Sequence, residues 1–264
     1  MIGFNFLGKL GQLGNQMFQY AAAMGIARQL DVQFSIPKHN EIINDGLGNK
    51  LRIELYDVFK INPDQMGFVD GNDAQEQLFE FDHKFLELDR NNNYNIIGYF
   101  QTQKYFKSVE DEVRKNFEFL DFIKKDCGEI IPEIKDCIAL HIRRGDYLIN
   151  KNNHYNLTLD YYHKALEQFD KNQQVVIFSD DPQWCKEQEI FESDRFLVSE
   201  TGNSYFDLYI MSNCSDFIIA NSTFSWWGAW LANKGKVIAP EQWFGPALDH
   251  KNTKDLYPQG WIKI

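Results

Sequence analysis

The chain has 264 residues, of which 44% are hydrophobic and 15% aromatic, and its net charge is −11. That length suits one large domain or two small ones around a normal core. The acidity argues against the broad basic face of a duplex nucleic-acid binder, and no apolar stretch approaches the roughly 20 residues of a membrane span. A small anionic ligand is still allowed, because one site needs only a few local cations.

The first residues, MIGFNFLGKLGQLGNQ, are too glycine-rich and polar for a signal peptide. Ile2 to Phe6 is a short apolar run. A loop with Gly8, Gly11 and Gly14 follows, then a helical pattern from Asn15 to about Leu30 with Met17, Ala21 and Met24 on one stripe and Phe18, Ala22 and Gly25 beside it. Strand, glycine loop and helix open a Rossmann-like unit. The loop does not match GxGxxG, so it gives no dinucleotide assignment. Asn15 and Gln16 either cap the helix or belong to a loop that presents amides to a ligand. Val32 to Ile36 reads as a second strand, stopped by Pro37. Residues 38–93 have scattered apolar positions and are read as short helices and loops. Tyr94 to Phe100 reads as a strand, and 103–126 as a helix burying Tyr105, Phe106, Val109, Val113 and Phe117. Pro132 breaks the pattern, which sets the expected lobes at 1–132 and 133–264.

The second half alternates more clearly. Cys137-Ile138-Ala139-Leu140 and Ile142 form a buried parallel strand that ends in His141, Arg143, Arg144, Gly145 and Asp146. Strand alternation places His141 and Arg143 on one face and Arg144 on the other. The first two then build an anion site and Arg144 sits in a structural ion pair; the alternative is that both arginines brace the sheet edge. After a polar loop over 148–156 come a helix from Leu159 to Phe169, a strand from Gln174 to Phe178, and Ser179-Asp180-Asp181-Pro182 at a helix start. Phe196 to Val198 is a strand, Ser204 to Met211 a helix and Asp216 to Ala220 a strand. The last runs into a helix capped by Asn221 or Ser222, and Val237 to Ala239 closes the series. This βα alternation predicts a parallel sheet with helices on both faces.

Three polar clusters then follow three strands and share one rim: His141 with Arg143, Asp180 with Asp181, and Asn221, Ser222, Thr223 and Ser225 at a helix N-terminus. Arginine and a helix N-terminus meet phosphate without a metal, and a carboxylate accepts from the N–H groups of guanine. Together they describe a purine-nucleotide diphosphate site. Taken alone, Asp180-Asp181-Pro182 is adequately explained as a helix cap. Trp226, Trp227, Trp230 and Trp243 could stack on sugar, but their helix after a buried strand reads as core. Cys127, Cys137, Cys185 and Cys214 show no metal-ligand spacing and are expected to be reduced and buried, with a structural disulfide as the alternative.

HIRRGDY, FSDD and NSTFSWWGAWL, with GLGNQMFQYA near the start, resemble the α-1,2-fucosyltransferases of bacterial type, related to the α-1,6- and protein O-fucosyltransferases. The motifs run in the family's order over about residues 11 to 231. The resemblance implies an α/β, GT-B-like fold of two Rossmann-like lobes, an acceptor-side first lobe and a nucleotide-sugar-binding second lobe, with the active site in the cleft between them. It implies an inverting, metal-independent transfer of L-fucose from GDP-fucose to the O2 hydroxyl of a terminal galactose, as in O-antigen or other surface glycan biosynthesis. No cofactor is implied.

At matching positions, His141 and Arg143 meet the nucleotide and its diphosphate, Asp180 or Asp181 meets guanine, and Ser222, Thr223 and Ser225 lie in the segment that receives the β-phosphate. Asn15 and Gln16 lie in the loop facing the cleft. Arg143, His141 and Asp146 are the catalytic candidates. Asp146 is either the general base or an ion pair and turn cap beside Arg144. Two departures are GQLGNQ in place of the commoner GGLGNQ and a short chain, which implies a trimmed first lobe. Animal members carry a membrane anchor and this chain shows none, so a cytoplasmic enzyme is expected, with peripheral association at the inner membrane left open. The formal sequon Asn221-Ser222-Thr223 inside the site fits a chain that never meets N-glycosylation. Two other readings remain: another nucleotide-sugar transferase on the same scaffold, and a non-catalytic glycan- or nucleotide-binding module.

Overall fold

A computed structural model describes residues 1–38, 43–44 and 50–264. Its strands are β1 (Ile2–Gly3), β2 (Phe34–Ile36), β3 (Ile43–Asn44), β4 (Lys50–Leu51), β5 (Gln65–Met66), β6 (Asn72–Gln75), β7 (Tyr94–Ile97), β8 (Ile138–Ile142), β9 (Val175–Ser179), β10 (Phe196–Val198), β11 (Asp216–Ile218), β12 (Val237–Ala239) and β13 (Ile262–Lys263). They form a parallel sheet of order β5-β2-β1-β7-β6, a second parallel sheet of order β10-β9-β8-β11-β12-β13, and the antiparallel pair β3-β4. The α/β class with two Rossmann-like sheets is as the sequence implies.

The chain divides into two compact units, Met1–Leu120 with Lys251–Pro258, and Asp121–His250 with Gln259–Ile264. The sequence placed the boundary at 132/133. In the structure the helices Asp121–Cys127 and Ile131–Ile134 pack on the Ser204–Asn213 helix, so 121–132 belongs with the second unit. Asp255, in the returning segment, accepts from the Phe81 amide at 3.2 Å and from Lys104 at 2.6 Å.

In the first unit the Leu13–Gln29 helix is buried on nearly every side. Its burial takes in polar Gln16 and Gln19 as well as the apolar residues, which is more than a stripe implies. Gly25 is required there, since a Cβ would collide with the backbone of Tyr105 and Phe106. The expected 103–126 helix is broken into 3₁₀ turns at Gln103–Tyr105 and Lys107–Val109 and helices at Glu110–Asn116 and Asp121–Cys127. The cause is Phe119, which leaves the helix to bridge Phe59, with Lys60 and Leu120 amides bonded across to Glu118 and Val58. Between 52 and 93 the expected loops include two sheet strands, β5 and β6. Both are short and polar or exposed edges, so no apolar alternation marks them. The part of that expectation covering 39–42 and 45–49 lies outside the described residues.

In the second unit Ile138, Leu140 and Ile142 face the Leu159–Leu166 helix in one apolar cluster with Tyr161, Tyr162, Val175 and Ile177. Strand alternation turns His141 to the other face, where its ring lies 5.4 Å from that of Phe224. The Thr223–Ala232 helix carries Trp226, Trp227 and Trp230 into the core, where Trp226 stacks parallel to Trp230, Trp227 meets both edge-on and Trp261 packs tilted against Trp226. Those tryptophans, and the buried Trp243, are core residues. All four cysteines are buried free thiols. Among the described residues no helix is long and apolar enough to cross a membrane.

Candidate active site

In the second sheet, the chain leaves β8 on one side through β9 and β10, then returns to the other side as β11 and β12. The crevice outside the carboxyl ends of β8 and β11 is therefore the topological switch point, where open α/β sheets hold ligands. The three sequence clusters converge there.

β8 ends at Ile142, so strand alternation does not extend to the arginines. Arg143 spans two carboxylates, Asp146 at 2.6 Å and Asp180 at 3.2 Å, and lies 5.4 Å over the Tyr147 ring. Arg144 pairs through Nε with Asp181 at 3.0 Å and stacks 3.8 Å over Trp184. Arg144 thus has the structural ion pair expected of it, but Arg143 is paired too. Asp146 pairs with Arg143 rather than Arg144. Asp180 Oδ1 also accepts from the Arg144 amide at 2.9 Å, and Gly145 is needed because a Cβ there would strike the Asp180 carboxylate. Asp181 is the N-cap of the Pro182–Lys186 helix, accepting from the Trp184 amide at 3.2 Å. Both aspartates are therefore already engaged by the protein. Each carboxylate can accept about four hydrogen bonds, so Asp180 retains capacity for a further donor.

His141 is 5% exposed and its Nδ1 has no hydrogen-bond partner. Burial, and then the charge of Arg143, push its pKa down to about 3, so the ring is neutral. Ser222 is the N-cap of the Thr223–Ala232 helix, yet its hydroxyl makes no cap bond. The first helical amides thus lack a side-chain acceptor, an arrangement suited to an anion. Thr223 opens the helix. Ser225 is fully buried and its hydroxyl donates inward to the Ala220 and Ser222 carbonyls, so it is not presented to a ligand. Asn221 is buried with its amide donated to the Tyr155 and Trp243 carbonyls at 2.8 and 2.9 Å, so the sequon is occupied by structure.

Sequence reasoning missed the brace between the loops. The Tyr147 hydroxyl donates to the Asn221 carbonyl at 3.0 Å, and its ring stacks on His154 at 4.0 Å. A short helix, Gly145–Ile149, precedes the expected loop and takes in its first two residues. Tyr147 was visible inside HIRRGDY, but nothing in the sequence marked its partner across the sheet. In the first unit, Gln16 is buried and fully engaged. Its Nε2 donates to the Gly11 and Arg52 carbonyls and its Oε1 accepts from the Glu54 amide at 2.8 Å. Asn15 accepts from Gln101 at 2.9 Å. Neither side chain makes a helix-capping bond.

A model described as glycosyl transferase family 11 matches residues 3–264. The O-antigen biosynthesis glycosyltransferase WbnK of Escherichia coli is 30% identical, over 96% of this chain and 98% of that one. The α-1,2-colitosyltransferase of Escherichia coli is also 30% identical, over 96% of each. Among solved structures, the α-1,6-fucosyltransferase NodZ, from Bradyrhizobium, soaked with GDP-fucose, shares the fold. Its TM-score is 0.54 at 11% identity, covering 87% of this chain and 91% of that one.

Proposed function

The chain belongs to glycosyl transferase family 11, and from that premise we propose that it transfers L-fucose from GDP-fucose to the O2 hydroxyl of a terminal galactose on a surface glycan. The reaction inverts the anomeric centre and uses no metal, and the enzyme works in the cytoplasm. One observation carries this reading. Arg143 stands at the switch point, and neutral His141, two residues before it, lies 5.4 Å from Phe224 in the first turn of a helix whose N-cap side chain makes no cap bond.

As the sugar–phosphate bond breaks, the electron pair leaves with GDP and positive charge grows on the fucose ring. The Arg143 guanidinium and the amides at Thr223 and Phe224 are fixed donors for the diphosphate oxygens. His141 adds no charge but offers a hydrogen-bonding nitrogen to the nucleotide, while Asp180 accepts from guanine. The galactose O2 attacks C1 from the opposite face and loses its proton. Asp146, the most exposed carboxylate on Arg143 at 61%, is the candidate to take it. Metal independence is supported by the commitment of Asp180 and Asp181 to arginines and a helix cap.

A second reading keeps the chemistry and changes the donor sugar, since one E. coli relative is an α-1,2-colitosyltransferase. Incubation with GDP-fucose, GDP-colitose or a UDP-sugar against a panel of galactosides, read by product mass, decides between them. Fucosyl transfer to galactose is expected. Transfer from GDP-colitose alone would install the second reading, and transfer from UDP-sugars alone would defeat both.

A further inference from the structure

Tyr147 belongs to none of the polar clusters at the rim of the second sheet, yet it touches two of them. Its hydroxyl donates to the Asn221 carbonyl at 3.0 Å, and Asn221 directly precedes Ser222, the N-cap of the Thr223–Ala232 helix. The Arg143 guanidinium lies over its ring, 5.4 Å from the centroid, within the reach of a cation–π contact. The same ring stacks on His154 at 4.0 Å, with 12° between the planes. One partly buried side chain thus ties the arginine to the start of the helix.

Neither anchor is free to drift. His154 is bridged to Phe244, and the Gly245 amide donates to the Asn153 carbonyl at 2.9 Å. A Cβ at Gly245 would strike the carbonyls of Lys151 and Asn152, so the two loops pack backbone to backbone. Asn221 is 2% exposed, and its amide donates to the Tyr155 and Trp243 carbonyls at 2.8 and 2.9 Å. The ion pairs of Arg143, to Asp146 and Asp180, are of another kind. An arriving diphosphate competes with those carboxylates for the N–H groups of the guanidinium, whereas a contact with the face of a ring uses none of them.

We propose that Tyr147 is a positioning residue for the leaving group. It fixes the Arg143 guanidinium and the first amides of the Thr223–Ala232 helix at one separation, so that both meet the same diphosphate as its charge grows. The inference rests on the transferase reading. Donors set in advance stabilise developing charge without having to reorganise. GDP has an extra ionisable β-phosphate oxygen compared with the sugar-bound donor, so loosening the two sets of donors costs the leaving group more than the donor. The hydroxyl serves the helix and the ring serves the arginine, which makes the two halves of the role separable.

Tyr147→Phe deletes the hydroxyl and keeps both ring contacts, and Tyr147→Leu deletes the ring as well. Each is made in the wild-type and the Arg143→Ala backgrounds, and kcat, donor KM, GDP affinity by calorimetry and melting temperature are measured. Tyr147→Phe should lower kcat and GDP affinity about 2- to 10-fold each, the worth of one hydrogen bond, with the donor KM changing by less than about twofold. Tyr147→Leu should lower both further, and that further loss should shrink in the Arg143→Ala background, where the ring has no guanidinium to hold. A lower melting temperature with wild-type kcat, donor KM and GDP affinity in the folded variants would make Tyr147 a packing residue and overturn the proposal. So would a further loss in Tyr147→Leu that is undiminished in the Arg143→Ala background. If the wild type transfers no sugar, the transferase reading is what fails, and GDP calorimetry alone decides the role of Tyr147. Weaker GDP binding by folded Tyr147→Phe than by the wild type supports it, and equal binding, or no binding by the wild type, overturns it.

Discussion

Lysine at position 143 tests the site most directly. Arg143 uses separate nitrogens for Asp146 at 2.6 Å and Asp180 at 3.2 Å, and still has N–H groups for a ligand. A single ammonium cannot reproduce that fork. Losing one charged hydrogen bond to the diphosphate costs about 1.5–3 kcal/mol, or roughly 10- to 150-fold in GDP affinity. Removing the side chain with Arg143→Ala should cut turnover by about 10² to 10³, as for one preorganised donor. Stability should move little, because partly exposed ion pairs contribute about 0–1 kcal/mol each. Arg144→Lys should behave in the opposite way. It loses the Nε bond to Asp181 at 3.0 Å and the stack on Trp184 at 3.8 Å, which is worth about 0.5–2 kcal/mol. Its melting temperature should fall first. Turnover, GDP affinity by calorimetry and thermal melts on the three variants read this out. Near wild-type turnover in Arg143→Lys, with Arg144→Lys inactive at unchanged stability, would refute the assignment.

Asp180→Ala should weaken GDP binding by about 1–3 kcal/mol in calorimetry, while Asp181→Ala should lower the melting temperature through its cap and ion pair, worth roughly 1 kcal/mol or more. Equal GDP affinity in both mutants would remove the guanine contact from this corner. Full turnover in excess chelator is expected, and a strict requirement for Mn²⁺ or Mg²⁺ would end the metal-free reading. Two buried groups set opposite pH slopes. The pKa of His141 is pushed down to about 3 by burial, so the unfolded chain binds its proton first and stability falls as pH drops from about 6.5 toward 3. Glu76 is pushed up to about 7, also by burial, so stability falls as pH rises from about 4.5 to 7. Denaturant melts across pH should lose the acid slope in His141→Gln and the second slope in Glu76→Gln, and an unchanged curve in either variant would contradict its burial.

The second unit was the more legible half, for a physical reason. Its central strands are buried on both faces and read as unbroken apolar runs, and each ends in a polar cluster that parallel topology must deliver to one rim. What that pattern could not carry was pairing. Strand alternation separated Arg143 from Arg144, but β8 stops one residue earlier, and each arginine found its own aspartate. Ser225 looked like a ligand hydroxyl, and only the helix geometry shows it turned inward. The first unit was harder because β5 and β6 are edge strands held by backbone bonds, and Asn-Asp-Ala-Gln carries no hydrophobic signal.

Residues 251–264 have a consequence for how the chain is made. Asp255 ties down the Phe81 amide and Lys104 in the first unit, and β13 then closes the edge of β12 while Trp261 packs on Trp226 in the second. During synthesis, each unit waits on those late residues for its last bonds. A ribosome that stalls near 250 would release two unfinished units at once, the first without the Asp255 ties and the second with β12 as an open strand edge and Trp226 unshielded. Open strand edges and bared apolar surface of that kind invite aggregation.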